Sequence, residues 1–420
     1  MLVEMDAEPE EIVIVGAGIA GLTVAEGLLK RGHRVILLER YPNVGGRIVT
    51  NRDPLQYEIG AGRIFHAHKR TLDLVKRFKL HTYAMSNATE WRSAADPENP
   101  LLNTFQEFMA ALIPVLESLK PSELAQHTLT QLIPASWHPI LKQYPYWAEL
   151  NLMRADLALE AFKPGGEMST YDHYYGVAEG LDAITTKLSA AVMRAGATIL
   201  TRHRVADIRK VGREFLITGD FGKKAEARPF EMRAKQVIIA TCRCSLSTFS
   251  VLKGKPLLNQ LQTSPLLRIY AVYPKGRNGK VWFEGMPKTV TDSPLRFVIP
   301  INPKSGLIMI SYTDGPADTK KWRALEGAKL QTEIQKEVKA LFGAGASAGI
   351  PEPTYLKKHD WPAGCTYWTP GRYGMEKAVR EAMNPMKNLF VVGESVSEHH
   401  QAWIEGALES AELFLEGYKQ

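Results

Sequence analysis

The sequence predicts an α/β chain, α+β overall, in which a parallel sheet assembled from distant segments is interleaved with a domain of antiparallel sheet plus helices. Three observations carry this expectation. Residues 12–16 (IVIVG) are a short β-branched run ended by glycine, and residues 35–38 form a second buried strand after a helical pattern, which is the opening of a βαβ unit. Two runs of the same kind stand far downstream, AKQVIIATC at 234–242 and NLFVVGE at 388–394. Between these two, residues 266–312 alternate in LLRIYAVYP, KVWFEG, LRFVIP and LIMISY, with the period of antiparallel strands.

Taken in order, residues 20–31 predict a helix with Leu22, Ala25, Leu28 and Leu29 on one stripe and Gly32 as its stop. Residues 69–80 predict an amphipathic helix. The stretch from about 100 to 163 reads as a lobe of short helices punctuated by Pro114, Pro121, Pro134, Pro139 and Pro145. A helix follows Gly180, short strands fill 197–218, and a last helix spans about 402–417. The predicted division is one discontinuous domain of residues 1–68, 176–245 and 385–420, and a second of 69–175 and 246–384.

Composition narrows the function classes. The 420 residues are 45% apolar and 23% charged, which is ordinary for globular proteins and disfavours disorder. The charge is +7, but the basic residues are scattered, so no nucleic-acid partner is expected. Three cysteines (Cys242, Cys244, Cys365) are too few for a disulfide framework and point to a reducing compartment. Cys242-Arg243-Cys244 lacks a second ligand pair, and His399-His400 reads as a loop lining the site, so no metal is expected. The first residues are acidic where a secretory leader is basic, and no stretch approaches ~18 apolar residues. EGYKQ at the other end matches no targeting or lipidation signal. The expectation is a soluble cytoplasmic protein without a membrane partner.

Gly16-Ala17-Gly18-Ile19-Ala20-Gly21 has the GxGxxG pattern between a strand and a helix. Gly16 allows the turn, Gly18 lets backbone approach a pyrophosphate, and Gly21 permits close helix–sheet contact. The helix N-terminus offers free N–H groups to the phosphates. Glu39, at the end of the second strand and followed by Arg40, is placed to bond ribose hydroxyls; an acid there speaks against a 2′-phosphate. A second glycine pair with an arginine, Gly45-Gly46-Arg47, adds phosphate contacts.

These residues resemble the flavin-containing amine oxidase superfamily of monoamine, polyamine and L-amino acid oxidases, with L-amino acid oxidases the nearest in kind. The family's R-x-G-G-R-x-x-S/T motif appears as residues 43–50, with Asn43 replacing the first arginine. The resemblance continues in Gly60-Ala61-Gly62, in 176–181, in Val205, in the strand ending at Thr241, in Gly393-Glu394 and in Ala402-Trp403-Ile404. It implies a Rossmann-like FAD-binding domain, interleaved with a substrate domain, whose FAD contacts come from all these segments and from Arg63.

The resemblance further implies hydride transfer from a CH–NH2 carbon to the flavin, giving an imine and, with oxygen as acceptor, hydrogen peroxide. Arg63 occupies the place of a carboxylate-binding arginine in amino acid oxidases, a task that suits a planar guanidinium. Its alternative is a surface or phosphate-contacting role. Trp403 is expected as the aromatic wall, with Tyr367 and Trp368 as partners. Arg268 stands where many relatives carry a lysine near flavin N5, and it cannot act as a neutral base. Cys365 is expected to be free, with FAD bound non-covalently. His66 and His68 are expected to face solvent, and Tyr171, His173, Tyr174 and Tyr175 to pack between lobes. A polyamine or monoamine oxidase, a desaturase or monooxygenase, and a non-catalytic FAD-binding scaffold stay open as alternatives. The partners implied are a small amine or amino acid and oxygen, and a homodimer is allowed.

Overall fold

The computed structural model describes residues 3–6, 11–94, 104–168, 173–223, 226–343 and 349–418. Its central element is a five-stranded parallel sheet in the order Thr198–Leu200, Arg34–Leu38, Glu11–Val15, Gln236–Ile239, Leu389–Val391. Val13, Ile14, Leu37, Val237, Ile238 and Ile239 are fully buried. They form near-continuous apolar runs because helices cover a parallel sheet on its faces. Helix Ile19–Lys30 packs on Asp182–Arg194 and on Ile404–Gly417. The sheet thus joins three separated stretches of sequence, as the strand runs predicted.

Beside it lies a four-stranded sheet of Val3–Asp6, Arg228–Ala234, Glu214–Phe221 and His203–Val211. A six-stranded sheet has the order Tyr355–Trp368, Leu261–Val272, Leu307–Asp314, Phe297–Asn302, Lys288–Thr291, Thr89–Arg92. Its pairings are antiparallel except the last. Short helices from Thr104–Glu117 to Ala155–Phe162 make the expected lobe around a core that includes Met109, Leu116, Leu129, Leu150 and Phe162. Pro114 lies inside Thr104–Glu117 without ending it.

Two local expectations are corrected. KVWFEG at 280–285 is a turn, and the strand lies at Lys288–Thr291 instead. Its alternation comes from Val281 and Phe283, both buried, anchoring successive turns whose bonds run from Glu284 N–H to Val281 O and from Met286 N–H to Phe283 O. The helix predicted over 69–80 ends at Arg77, because Lys79 takes a left-handed φ of 52°. The sulfurs of Cys242 and Cys244 are paired. Among the described residues no helix is long and apolar enough to cross a membrane.

Glu405 locks two elements that carry the site. Its buried carboxylate accepts the backbone N–H groups of Arg70 (3.1 Å) and Thr71 (2.9 Å) and the Thr71 hydroxyl (2.8 Å). It therefore satisfies first-turn donors of Lys69–Arg77 from the first turn of Ile404–Gly417. Glu405→Ala leaves those donors buried and unpaired, so chemical denaturation should show a loss of about 2–4 kcal/mol; an unchanged midpoint would refute the role.

Candidate active site

The glycine turn expected to cradle phosphate is built by backbone that only glycine can follow at two of its positions. Gly16 has φ +108°, and a Cβ there would stand 2.5 Å from Ala240 O; a Cβ at Gly21 would stand 2.1 Å from Gly16 O. Gly18, by contrast, caps helix Ile19–Lys30 at an ordinary φ of −74°, and a Cβ would meet no described atom within 4 Å. The space before this helix N-terminus is open, while Ile19 and Ala20 are buried in its first turn. The second glycine pair docks on the first: Gly45 N–H donates to Ala17 O at 2.9 Å, and Gly45 and Gly46 both have positive φ. Glu39 is buried and accepts the N–H groups of Ala17 and Tyr41, both at 2.9 Å. Burial raises its pKa against those bonds. Arg40 is exposed, with its guanidinium 5.0 Å from the Tyr41 ring centre.

Behind the cradle, Arg47 pairs with Glu394 at 2.7 Å and donates to Gly364 O at 2.9 Å. Gly60 has no room for a side chain, since a Cβ would lie 1.9 Å from Arg47 O, which accepts Ala61 N–H at 2.9 Å. Glu394 also accepts Ala402 N–H at 3.0 Å and the Thr366 hydroxyl at 3.0 Å. Gly393 holds φ +130° to present that carboxylate. Thr241 has a buried hydroxyl with no partner among the described residues, and its methyl group stands close to Gly16. Val205 lies at a bulge of strand His203–Val211.

The second half of the site is a cluster of charged and aromatic side chains around Arg63. The Arg63 guanidinium lies 4.2 Å from the Tyr174 ring centre and 5.4 Å from that of Trp403. These rings are nearly parallel, at 7° and 6.2 Å. Trp403 caps Ile404–Gly417 and is delivered by Ala402, whose φ is +70°. Arg268 is buried beside Gly62, donates to Glu58 O at 3.2 Å and lies 5.1 Å from the Tyr312 ring centre. Burial pushes the Glu58 carboxyl up to about 7. The Arg63 charge also acts on Tyr146, Lys288, Tyr312 and Asp314. Burial, and then Arg63, hold Lys288 down to about 8. Glu149 and Asp314 are both raised, first by burial.

The strand Tyr355–Trp368 separates two residues predicted to act together. Successive side chains point to opposite faces of a strand, so Tyr367 meets the helical lobe, where Cys365 and Glu149 act on it. Trp368 faces the other way. It is fully buried, its amide donates to Gln401 Oε1 at 2.7 Å and its indole to Ser397 O at 2.8 Å, so it is core and not a substrate contact. Cys365 is free and half-buried beside these groups, and desolvation raises its thiol pKa strongly. His66 is exposed as expected, but His68 is buried and lies edge-on to Trp403 at 5.1 Å. Tyr174 belongs to the pocket, and Tyr171 lies outside the described residues. Sequence reasoning missed Glu149, Lys288 and Asp314, because a single acid or lysine in an amphipathic stretch has the signature of solvated surface.

The family described as flavin containing amine oxidoreductase matches residues 19–413. The chain is 41% identical over 85 residues to YobN of Bacillus subtilis (strain 168), covering 19% of this chain and 18% of that protein. It is 34% identical over 93 residues to an L-amino acid oxidase of Cerastes cerastes, covering 21% and 18%. These matches therefore span about a fifth of either partner. A putrescine oxidase structure shares the fold at TM-score 0.74 and 16% identity, over 98% of this chain and 99% of that one. Cyclohexylamine oxidase from Brevibacterium oxydans IH-35A does so at 0.74 and 16%, over 97% and 98%.

The chain's own residues fit a flavin nucleotide: an open glycine turn at a helix N-terminus and the buried Glu39 carboxylate at the end of the neighbouring strand. Gly18→Ala separates binding from folding, because its methyl group enters only the cradle. Titration of the apoprotein should show flavin affinity falling by about tenfold or more while the apoprotein melting temperature stays within ~1 °C. Unchanged flavin affinity would contradict the cradle.

Proposed function

The chain belongs to the flavin containing amine oxidoreductases, and on that footing we propose that it is an FAD-dependent oxidase of L-amino acids or related amines. The bound flavin would accept hydride from the CH–NH2 carbon, leaving an imine that water hydrolyses, and would pass the electrons to oxygen as hydrogen peroxide. FAD sits non-covalently in this reading, in keeping with a half-buried Cys365 whose thiol resists ionisation.

The observation that carries the amino-acid assignment is Arg63. Among the described residues it has no carboxylate within ion-pair distance, and its guanidinium rests on Tyr174 and Trp403. A cation held at an aromatic wall without a counter-ion suits a substrate carboxylate, bound through paired N–H groups. Trp403, Tyr174 and Tyr367 exclude water around the reacting carbon. Arg268 supplies fixed positive charge and takes no proton, so the substrate must enter with its amine neutral or lose that proton to another group.

A second reading, oxidation of amines without a carboxylate, draws on Glu149 and Asp314. The Glu149 Oε2 is buried without a partner among the described residues. A carboxylate there suits an alkylammonium. Burial, however, pushes both acids toward their neutral forms, while Arg63 and Arg268 keep their charge. The field of the pocket is therefore positive on balance, which favours the carboxylate.

Arg63→Ala should raise KM for L-amino acids about 100-fold, as expected for losing about 3 kcal/mol of charge-assisted bonding. Arg63→Lys should fall between, and KM for amines lacking a carboxylate should move less than ~3-fold. Steady-state peroxide assays on both substrate classes check this. An equal effect on both would refute carboxylate binding by Arg63.

A further inference from the structure

Three segments distant in sequence converge on one carboxylate beside the aromatic wall. Glu167 follows helix Ala155–Phe162, and its buried Oε2 lies 2.8 Å from His68 Nε2 and 2.9 Å from His400 Nδ1. His68 ends the segment that begins at Arg63, and His400 precedes Trp403 by three residues. The His68 ring meets Trp403 edge-on at 5.1 Å and His400 at 5.5 Å. The main-chain carbonyl of Glu167 accepts the Tyr174 hydroxyl at 2.8 Å. The bridge thus touches both rings that lie against the Arg63 guanidinium.

Two chemical readings compete. Two imidazole nitrogens and a carboxylate oxygen within 4.8 Å of one another form a plausible set for a first-row divalent ion. The tautomer of His68 argues against it. Phe65 N–H points at His68 Nδ1 (3.4 Å), which makes Nδ1 the acceptor and puts the proton of the neutral ring on Nε2. His68 then presents N–H, not a lone pair, to Glu167. Both nitrogen–oxygen distances are those of hydrogen bonds.

Charge counting completes the picture. A buried carboxylate between two neutral imidazoles leaves one uncompensated negative charge, and a proton on His400 removes it. Burial works against that proton, but Glu167, and then Glu409 and Glu405 of Ile404–Gly417, outweigh it, so the His400 pKa is raised. The other titratable and charged neighbours are His68 and His399, with Glu398 and Glu160 reaching His399 and Arg70 neutralising Glu405.

We propose that the His68–Glu167–His400 bridge is a positioning unit that holds Trp403 and Tyr174 against Arg63 and thereby sets substrate affinity. It rests on the reading of Arg63 and Trp403 as the substrate pocket. Because the imidazole pKa is raised, the bridge is intact at low pH and loosens as pH rises through it.

The test is kcat and KM of the flavin-loaded enzyme with L-amino acids between pH 6 and 9.5, with flavin content checked by absorbance and metal by elemental analysis. In the wild type KM should rise on the alkaline side. Glu167→Gln removes the counter-charge and should raise KM at pH 7 about tenfold with kcat within about twofold, the scale expected when binding groups are misplaced by a fraction of an ångström. Its alkaline rise should move to lower pH. His400→Asn keeps an N–H at the Nδ1 position but cannot titrate, so it should restore a low KM without the alkaline rise. Trp403→Ala separates the two levels of the argument. If it leaves KM unchanged, the pocket reading fails; if it raises KM while Glu167→Gln and His400→Asn keep the wild-type pH profile, the bridge is overturned. A stoichiometric metal lost on Glu167→Gln would also overturn it, in favour of a metal centre.

Discussion

The pair of half-buried Arg47 and buried Glu394 is the interaction on which both halves of the site depend. One carboxylate oxygen takes Arg47 at 2.7 Å and the Thr366 hydroxyl at 3.0 Å, and the other takes Ala402 N–H at 3.0 Å. A single side chain thereby joins the second glycine loop, the long strand of the antiparallel sheet and the turn that delivers Trp403. A buried ion pair contributes little net stability relative to an apolar pair, yet breaking it leaves a bare charge inside. Its value here is geometric. It fixes the second glycine loop relative to the turn that carries Trp403.

The pocket is a balance of unlike charges, settled by burial. Arg63 and Arg268 bring guanidinium cations, whereas burial pushes Glu149 and Asp314 toward neutrality. Lys288, held near 8, is the only one of the five whose charge is lost just above neutral pH. The asymmetry makes the space receptive to an anionic group, although its acid and base counts are similar. Family membership alone does not decide this, since the fold is shared with proteins named for putrescine and cyclohexylamine.

The cradle was legible in the sequence because its requirement is local: Gly16 and Gly21 sit where any Cβ would strike backbone, so residue type and spacing report geometry directly. The parallel sheet was legible for a similar reason, its strands being apolar on both faces. Neighbours on a strand were harder. Tyr367 and Trp368 are equally aromatic, and only the register of Tyr355–Trp368 against Leu261–Val272 determines which faces the helical lobe. KVWFEG carried a strand's alternation because two anchored turns bury alternate residues as a strand does. The bridge at Glu167 had no sequence signature, since its members come from segments 99 and 233 residues apart and each alone resembles surface.

The account stands or falls on whether the carboxylate of the substrate is recognised. Anaerobic rapid mixing of the wild-type enzyme with a set of L-amino acids and, separately, with the amines obtained by removing their carboxylates measures this directly through bleaching of the flavin. The account predicts that amino acids reduce the flavin at far lower concentration than their decarboxylated counterparts. Bleaching by the amines alone, or by both classes at the same half-saturating concentration, would contradict it.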